Sequence, residues 1–314
     1  MDDLRAYVEN HMTQTIARLQ AFCRQPSIAA QGEGMAEMAA LVRDALTEIG
    51  AQAEIMPTEG YPVVVGRLDG ARDKTLMFYN HYDVQPPDPL DLWDSPPFEP
   101  TIREGRLYAR GVADNKGNLV ARLAAVEAWR AVRGELPLNI LFVVEGEEEI
   151  GSPHLGRFAE THQDMLQADG CIWESGYKDT KGRLRILLGV KGILAVELRA
   201  RGANRDLHSA NAAIIEAPAW RLLWALNSLK GPDERIRIPG FYDDVRPPDE
   251  QDRAMLAAWE YDEAGVLAEY GLDRFLLDLR GEALKERLLF QPTCNICGFH
   301  TGYGGPGLKT VLPA

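Results

Sequence analysis

Apolar residues recur at helical spacing through Leu4, Tyr7, Val8, Met12, Ile16, Leu19 and Phe22, which predicts a helix over 3–24 that Pro26 terminates. A second periodic run predicts a helix over 35–49, stopped by Gly50. Three β-rich segments follow, 51–56, 62–68 and 75–84, and the continuous apolar run of the last is the pattern of a strand buried on both faces. Between 85 and 100 six prolines alternate with Asp88, Asp91 and Asp94, too stiff and polar for the interior of an element. A loop of that length in a compact domain points to function. A helix over 116–132, a strand over 138–145, a helix over 153–167 and a strand over 170–174 then alternate, as in an α/β domain. After Gly176 the pattern changes to long alternating stretches at 183–188 and 193–201, read as strands, then a helix around 216–229 and further helices within 251–290. The expected division is an α/β domain over 1–187 and an α+β unit over 188–314.

A length of 314 residues agrees with about two domains. Thirty-four Lys and Arg oppose 47 Asp and Glu, and the net charge of −13 excludes nucleic acid and anionic membrane surfaces as expected partners. The most apolar segments are strand-sized, well short of the roughly 20 residues that span a bilayer. Four scattered cysteines and a charged start, MDDLRAYVEN, lead us to expect a reducing cytoplasm.

Carboxylates and one histidine collect at the ends of the expected strands. In N-H-Y-D-V-Q, His81 and Asp83 share one face if the strand continues, and a nearby Asp is suited to orient a metal-bound imidazole. Either could equally be an ordinary polar strand end. In R-G-V-A-D-N-K-G, Asp114 directly precedes a helix, where a capping role competes with a chemical one. The glycines there do not have phosphate-loop spacing. Glu145, Glu147, Glu148 and Glu149 crowd the end of the strand LNILFVV, the edge where α/β sheets place ligands, and cations would relieve their repulsion. The alternative is a solvated acidic turn. Glu174 ends another short strand. One imidazole with several carboxylates is the donor mix expected for Zn²⁺, Mn²⁺ or Co²⁺ at a hydrolytic site.

Other histidines read more plainly. His11, His154 and His162 fall on expected helices, His300 is unassigned, and His208 lies in a polar loop. Cys294 and Cys297 form a C-x-x-C with no second pair, and alternation there suggests a strand, so both are read as structural.

In order, H-Y-D-V-Q-P, R-G-V-A-D-N-K-G, E-G-E-E-E-I-G-S and I-W-E resemble the dinuclear-zinc exopeptidases and deacylases, which include carnosinase-like cytosolic dipeptidases, bacterial glutamate carboxypeptidase, acetylornithine deacetylase and succinyl-diaminopimelate desuccinylase. The segments D-L-W-D-S-P-P-F-E-P, D-L-H-S and P-T-C-N-I-C-G-F look most like the dipeptidase branch. The resemblance implies a zinc-hydrolase domain with a mixed sheet flanked by helices, plus an inserted α+β lid through which two subunits pair. It implies that His81 and Glu174 hold one zinc, Glu149 the second, and Asp114 bridges both. Glu148 would be the general base, Asp83 would orient His81, and His208 would reach the substrate oxyanion. It also implies a cis peptide between Asp114 and Asn115.

The family's further histidine ligand and its lid arginine have no counterpart before Ala314, so a truncated or degenerate member with a weakly held second metal is expected. The leading expectation is a dipeptidase acting on a small amide bond. An N-acyl-amino-acid deacylase and a non-catalytic metal or peptide binder are the competitors.

Overall fold

Helix α1 (Asp2–Arg24) lays its apolar stripe along α3 (Lys116–Arg133), and α2 (Met35–Glu48) covers β1 (Gln52–Met56) and β2 (Val63–Leu68). In this computed structural model, which describes residues 1–174, 176–179 and 181–314, those helices pack on a five-stranded sheet. Its order is β1-β2-β6-β3-β7, with β3 at Thr75–His81, β6 at Asn139–Glu145 and β7 at Gly170–Trp173. Strands β1, β2 and β6 run antiparallel, whereas β6, β3 and β7 are parallel. The sheet is therefore mixed, as the resemblance implied. A small hairpin, β4 (Thr101–Arg103) and β5 (Arg106–Tyr108), follows the proline-rich loop.

Alternation along the strands sorts side chains to two layers. Val64, Phe78, Phe142 and Val144 join the α2 and α3 core, while Val63, Val65, Leu141 and Val143 pack with Phe158 of α4 (Leu155–Thr161) on the other face. Lys116 is buried at the start of α3, and its ammonium donates to the carbonyls of Phe22 and Gln25 at 3.0 and 2.7 Å, fastening the end of α1.

Several expected elements are shorter than their periodicity suggested. Strand β3 stops at His81: Tyr82 N–H makes the last rung of the ladder, to Glu145 O at 2.8 Å, and Val84 N–H then donates to Ser27 O at 2.9 Å, outside the sheet. Helix α4 ends at Thr161, and turns continue to Leu166, whose side chain packs with Met165 against the core. Apolar residues in successive turns thus mimic a longer helix.

Residue contacts divide the chain into two compact units, Met1–Tyr177 and Lys178–Ala314. The second unit contains α5 (Pro218–Leu229), α6 (Glu250–Ala258), α7 (Glu263–Tyr270) and α8 (Gly281–Phe290). Short pairs join β8 (Tyr177–Lys178) to β9 (Leu184–Arg185) by sheet membership, and β10 (Leu207–His208) to β11 (Val311–Leu312). The strands expected over 183–188 and 193–201 form only at Leu184–Arg185. Alternation becomes a strand only where a neighbour supplies backbone hydrogen bonds, and among the described residues none lies beside 186–201. Ile193 is accordingly 97% exposed. The segment around Cys294 and Cys297 is likewise not a strand.

Candidate metal centre

Because β6, β3 and β7 are parallel, their carboxyl ends share one rim of the sheet. His81 ends β3 opposite Glu145 of β6 in register, and Glu174 follows β7 directly. Asp114 arrives from the loop before α3. It does not cap that helix: Asn115 occupies the N-cap position, and the carboxylate of Asp114 meets His81 Nε2 at 2.9 Å. The Asp114–Asn115 peptide bond is cis.

His81 is fully buried, with Glu174 Oε1 at 3.6 Å and Glu148 Oε2 at 3.7 Å from Nε2. On the other side of the ring, Nδ1 lies 3.1 Å from the Asp83 carbonyl and 3.3 Å from its carboxylate. The structure thus places Asp83 where the ring can be oriented. The carboxylate of Asp83 also accepts the backbone N–H groups of Glu148 and Glu149, at 3.2 and 2.9 Å. Glu149 in turn accepts from Gln85 Nε2 at 2.9 Å, so the proline-rich loop begins by bracing one of the acidic side chains.

Two sets of donor atoms lie within 4.8 Å of one another: His81, Asp114 and Glu149, and His81, Glu148 and Glu174. All five side chains come together, although Glu148, assigned above to proton transfer, lies among the prospective ligands. Burial works against a cation at His81, yet hydrogen bonds to Asp114, Asp83 and Glu174 push its pKa up to about 12. The same His81 contact holds Asp114 below its ordinary value. Burial, followed by the charges of Glu174, Glu149 and Asp83, raises Glu148 to about 7 despite the opposing His81. Glu149 is also raised, chiefly by burial. Such crowding of carboxylates around one imidazole leaves an excess of negative charge that divalent cations offset, and their oxygen and nitrogen donors suit such ions. The residues present fit a metal.

The surrounding turn is fixed in detail. A Cβ at Gly146 would come within 2.3 Å of the Tyr82 hydroxyl, so only glycine permits this approach between the buried Tyr82 ring and the acidic turn. Glu145 is buried and accepts from the Tyr79 hydroxyl and from Ser152 Oγ, the latter at 2.8 Å. Glu147 is buried too, bound by His154 Nδ1 at 2.8 Å and Tyr61 N–H at 3.2 Å. Glu145 and Glu147 therefore hold the turn, while Glu148 and Glu149 face the site.

Sequence reasoning passed over Arg122, Asn80 and Gln85. Arg122 carries a usable signal: it lies three residues after Leu119 and four before Val126, both buried, so a charge interrupts the apolar stripe of α3. His208 lies in β10 of the second unit, where its Nδ1 accepts from Ala210 N–H at 3.1 Å. His154 and His162 sit at the two ends of α4 rather than within it.

Comparison with known proteins extends this geometry. Residues 77–280 match the family described as peptidase family M20/M25/M40. The chain is 34% identical over 258 residues to the Beta-Ala-His dipeptidase of Homo sapiens, a match covering 80% of this chain and 50% of that protein. It is 28% identical to the Cys-Gly metallodipeptidase of Schizosaccharomyces pombe, covering 100% of this chain and 70% of the relative. Among solved structures it resembles an M20 family metallo-carboxypeptidase from Sulfolobus solfataricus, with 38% identity and a TM-score of 0.85 over 95% of this chain and 68% of that one. The chain thus spans from half to about 70% of the length of these relatives.

Proposed function

Because the chain belongs to peptidase family M20/M25/M40, we propose that it is a metal-dependent dipeptidase that hydrolyses a small peptide bond. The observation that carries this reading is the convergence of His81, Asp114, Glu148, Glu149 and Glu174 on one rim of the sheet, in two donor sets that share His81. Names of relatives with dipeptidase activity support the substrate class.

His81, Asp114, Glu149 and Glu174 would hold the metal, proposed as two zinc ions with Mn²⁺ or Co²⁺ as substitutes. When bound, such ions polarise the substrate carbonyl and acidify water. The side chains supply the rest. Glu148, whose carboxylate lies 3.7 Å from His81 Nε2 on the rim of the site, is suited to accept a proton from the attacking water and then deliver it to the departing amine. Asp83 fixes the His81 ring, and by pinning the Glu148 and Glu149 amides it fixes the base relative to that ring. His208 is proposed to donate to the oxygen on which negative charge develops. We further propose the first unit as catalytic, the second as a lid through which a homodimer forms, and a cytoplasmic location.

The test is hydrolysis measured after loading with Zn²⁺, Mn²⁺ or Co²⁺, using free dipeptides beside N-acetyl and N-succinyl amino acids. Cleavage of dipeptides alone supports the proposal. Cleavage of acylated amino acids alone would replace it with a deacylase, and metal binding without turnover would leave a binding protein. The 38% identity to a metallo-carboxypeptidase favours one second reading, removal of the last residue from longer peptides, which N-blocked peptides report directly.

A further inference from the structure

The side chains of Arg122 and Asn118 in α3 reach, between them, every segment that delivers His81, Asp114 and Glu174. The Arg122 guanidinium donates to the carbonyls of Tyr79 and Glu174 and to Oδ1 of Asn80, the residue before His81. Asn80 in turn donates to Oδ1 of Asn115, the residue after Asp114. One turn earlier on the helix, Asn118 donates to Ala113 O at 2.8 Å and accepts from Gly176 N–H at 3.3 Å. Glu174 itself has φ of 42°, a left-handed conformation uncommon for a residue with a Cβ. Its backbone is held there on both sides, by Glu174 N–H donating to Tyr79 O at 2.8 Å and by Arg122 on its own carbonyl.

This arrangement needs a rigid planar fork. Two nitrogens of one guanidinium serve acceptors on two different strand ends, β3 and β7, and the cation rests 5.6 Å from the centre of the Phe78 ring. A lysine ammonium would carry the charge without that geometry.

We propose that Arg122 and Asn118 form a clamp that positions Glu174 relative to His81 and so builds the metal position that those two residues share. The clamp touches no prospective ligand atom. Arg122 and Asn118 are positioning residues that act through backbone groups and through Asn80. The inference rests on the metallopeptidase reading above.

The test follows Co²⁺ binding by visible absorption and by chelator competition in the parent protein, Arg122→Lys and Asn118→Ala, with circular dichroism to verify folding. Arg122→Lys is expected to bind about ten- to a hundredfold more weakly at one of the ion positions, with an altered cobalt spectrum. Asn118→Ala is expected to show a smaller loss of the same kind. Arg18→Gln, which removes the 2.9 Å ion pair to Glu127 on the outer side of α3, is expected to lower stability and leave the spectrum unchanged. Parent-like affinity and spectrum in folded Arg122→Lys would overturn the clamp. Should Arg122→Lys not fold, the same result in Asn118→Ala overturns it. A parent protein that binds no Co²⁺ overturns the metallopeptidase reading itself, whereas a binding parent with unaffected variants overturns only the clamp.

Discussion

The buried carboxylate of Asp83 accepts the backbone N–H of Glu149 at 2.9 Å. The same carboxylate lies 3.3 Å from His81 Nδ1, so one side chain sets both the imidazole and the turn that carries the proposed base. On the roles proposed above, a group shared in this way would couple metal affinity to proton transfer, two properties that would otherwise vary independently.

Asp83→Asn is therefore expected to weaken metal binding about ten- to a hundredfold, the range for loss of a group that orients a ligand. It should also lower turnover at saturating metal, because the amide has one oxygen for two backbone N–H donors. Activity measured against metal concentration separates the effects, and full recovery at high metal would show that the turn does not depend on Asp83.

Glu148→Ala is expected to retain bound metal and lose turnover by about 10²- to 10⁴-fold, the range for removal of a general acid–base group. Elemental analysis beside a dipeptide assay checks this. Loss of metal with little kinetic change would instead make Glu148 a ligand, in line with its place beside His81 and Glu174.

Metal must expel the proton that His81 holds, so binding should release about one proton per chain from this group and tighten as pH rises. The sign for the metal-free protein is opposite. His81 is raised from 6.5 to about 12, so its stabilising contribution is complete below pH 6.5 and is lost as pH rises through 12. Calorimetry of metal binding in buffers of different ionisation enthalpy measures the release, and melting of the chelated protein across pH measures the stability.

Gly117→Ala should damage the site from the inside of α3. Its Cβ would lie 2.0 Å from the Val112 carbonyl oxygen, a backbone atom that cannot swing aside, so the loop carrying Asp114 must shift. A loss of about 1–3 kcal/mol in stability is expected from this overpacking, with weaker metal binding, and denaturant melts with chelator competition would report both.

If His208 acts in the active site of a partner subunit, mixing His208→Ala with Glu148→Ala should restore part of the activity through hybrid dimers. Subunit exchange verified by mass, with no rescue, would place its action within one subunit.

Much of the first unit was legible in the sequence. Helical spacing and its breakers located α1, α2 and α3, and the apolar runs located β2, β3 and β6, because burial on a sheet or under a helix stamps its period on the chain. The ordered motifs brought forward His81, Asp114, Glu148, Glu149 and Glu174, and the structure assembles them. What periodicity could not supply was the destination of polar groups. Nothing in E-G-E-E-E separates Glu145 and Glu147, which hold the turn, from Glu148 and Glu149, which face the site; that depends on Tyr79, Ser152, Tyr61 and His154, distant in sequence. Likewise the alternating stretches at 186–201 meet the sequence criterion for strands, yet pairing is a property of a neighbour. Sequence alone determined which residues are chemically able to bind metal and which faces must be buried, since both follow from side-chain type and local spacing. Tertiary structure alone decided which carboxylates meet the imidazole and that Arg122 ties the ends of β3 and β7 together through their carbonyls, because those contacts join segments that only the parallel strand ends bring together.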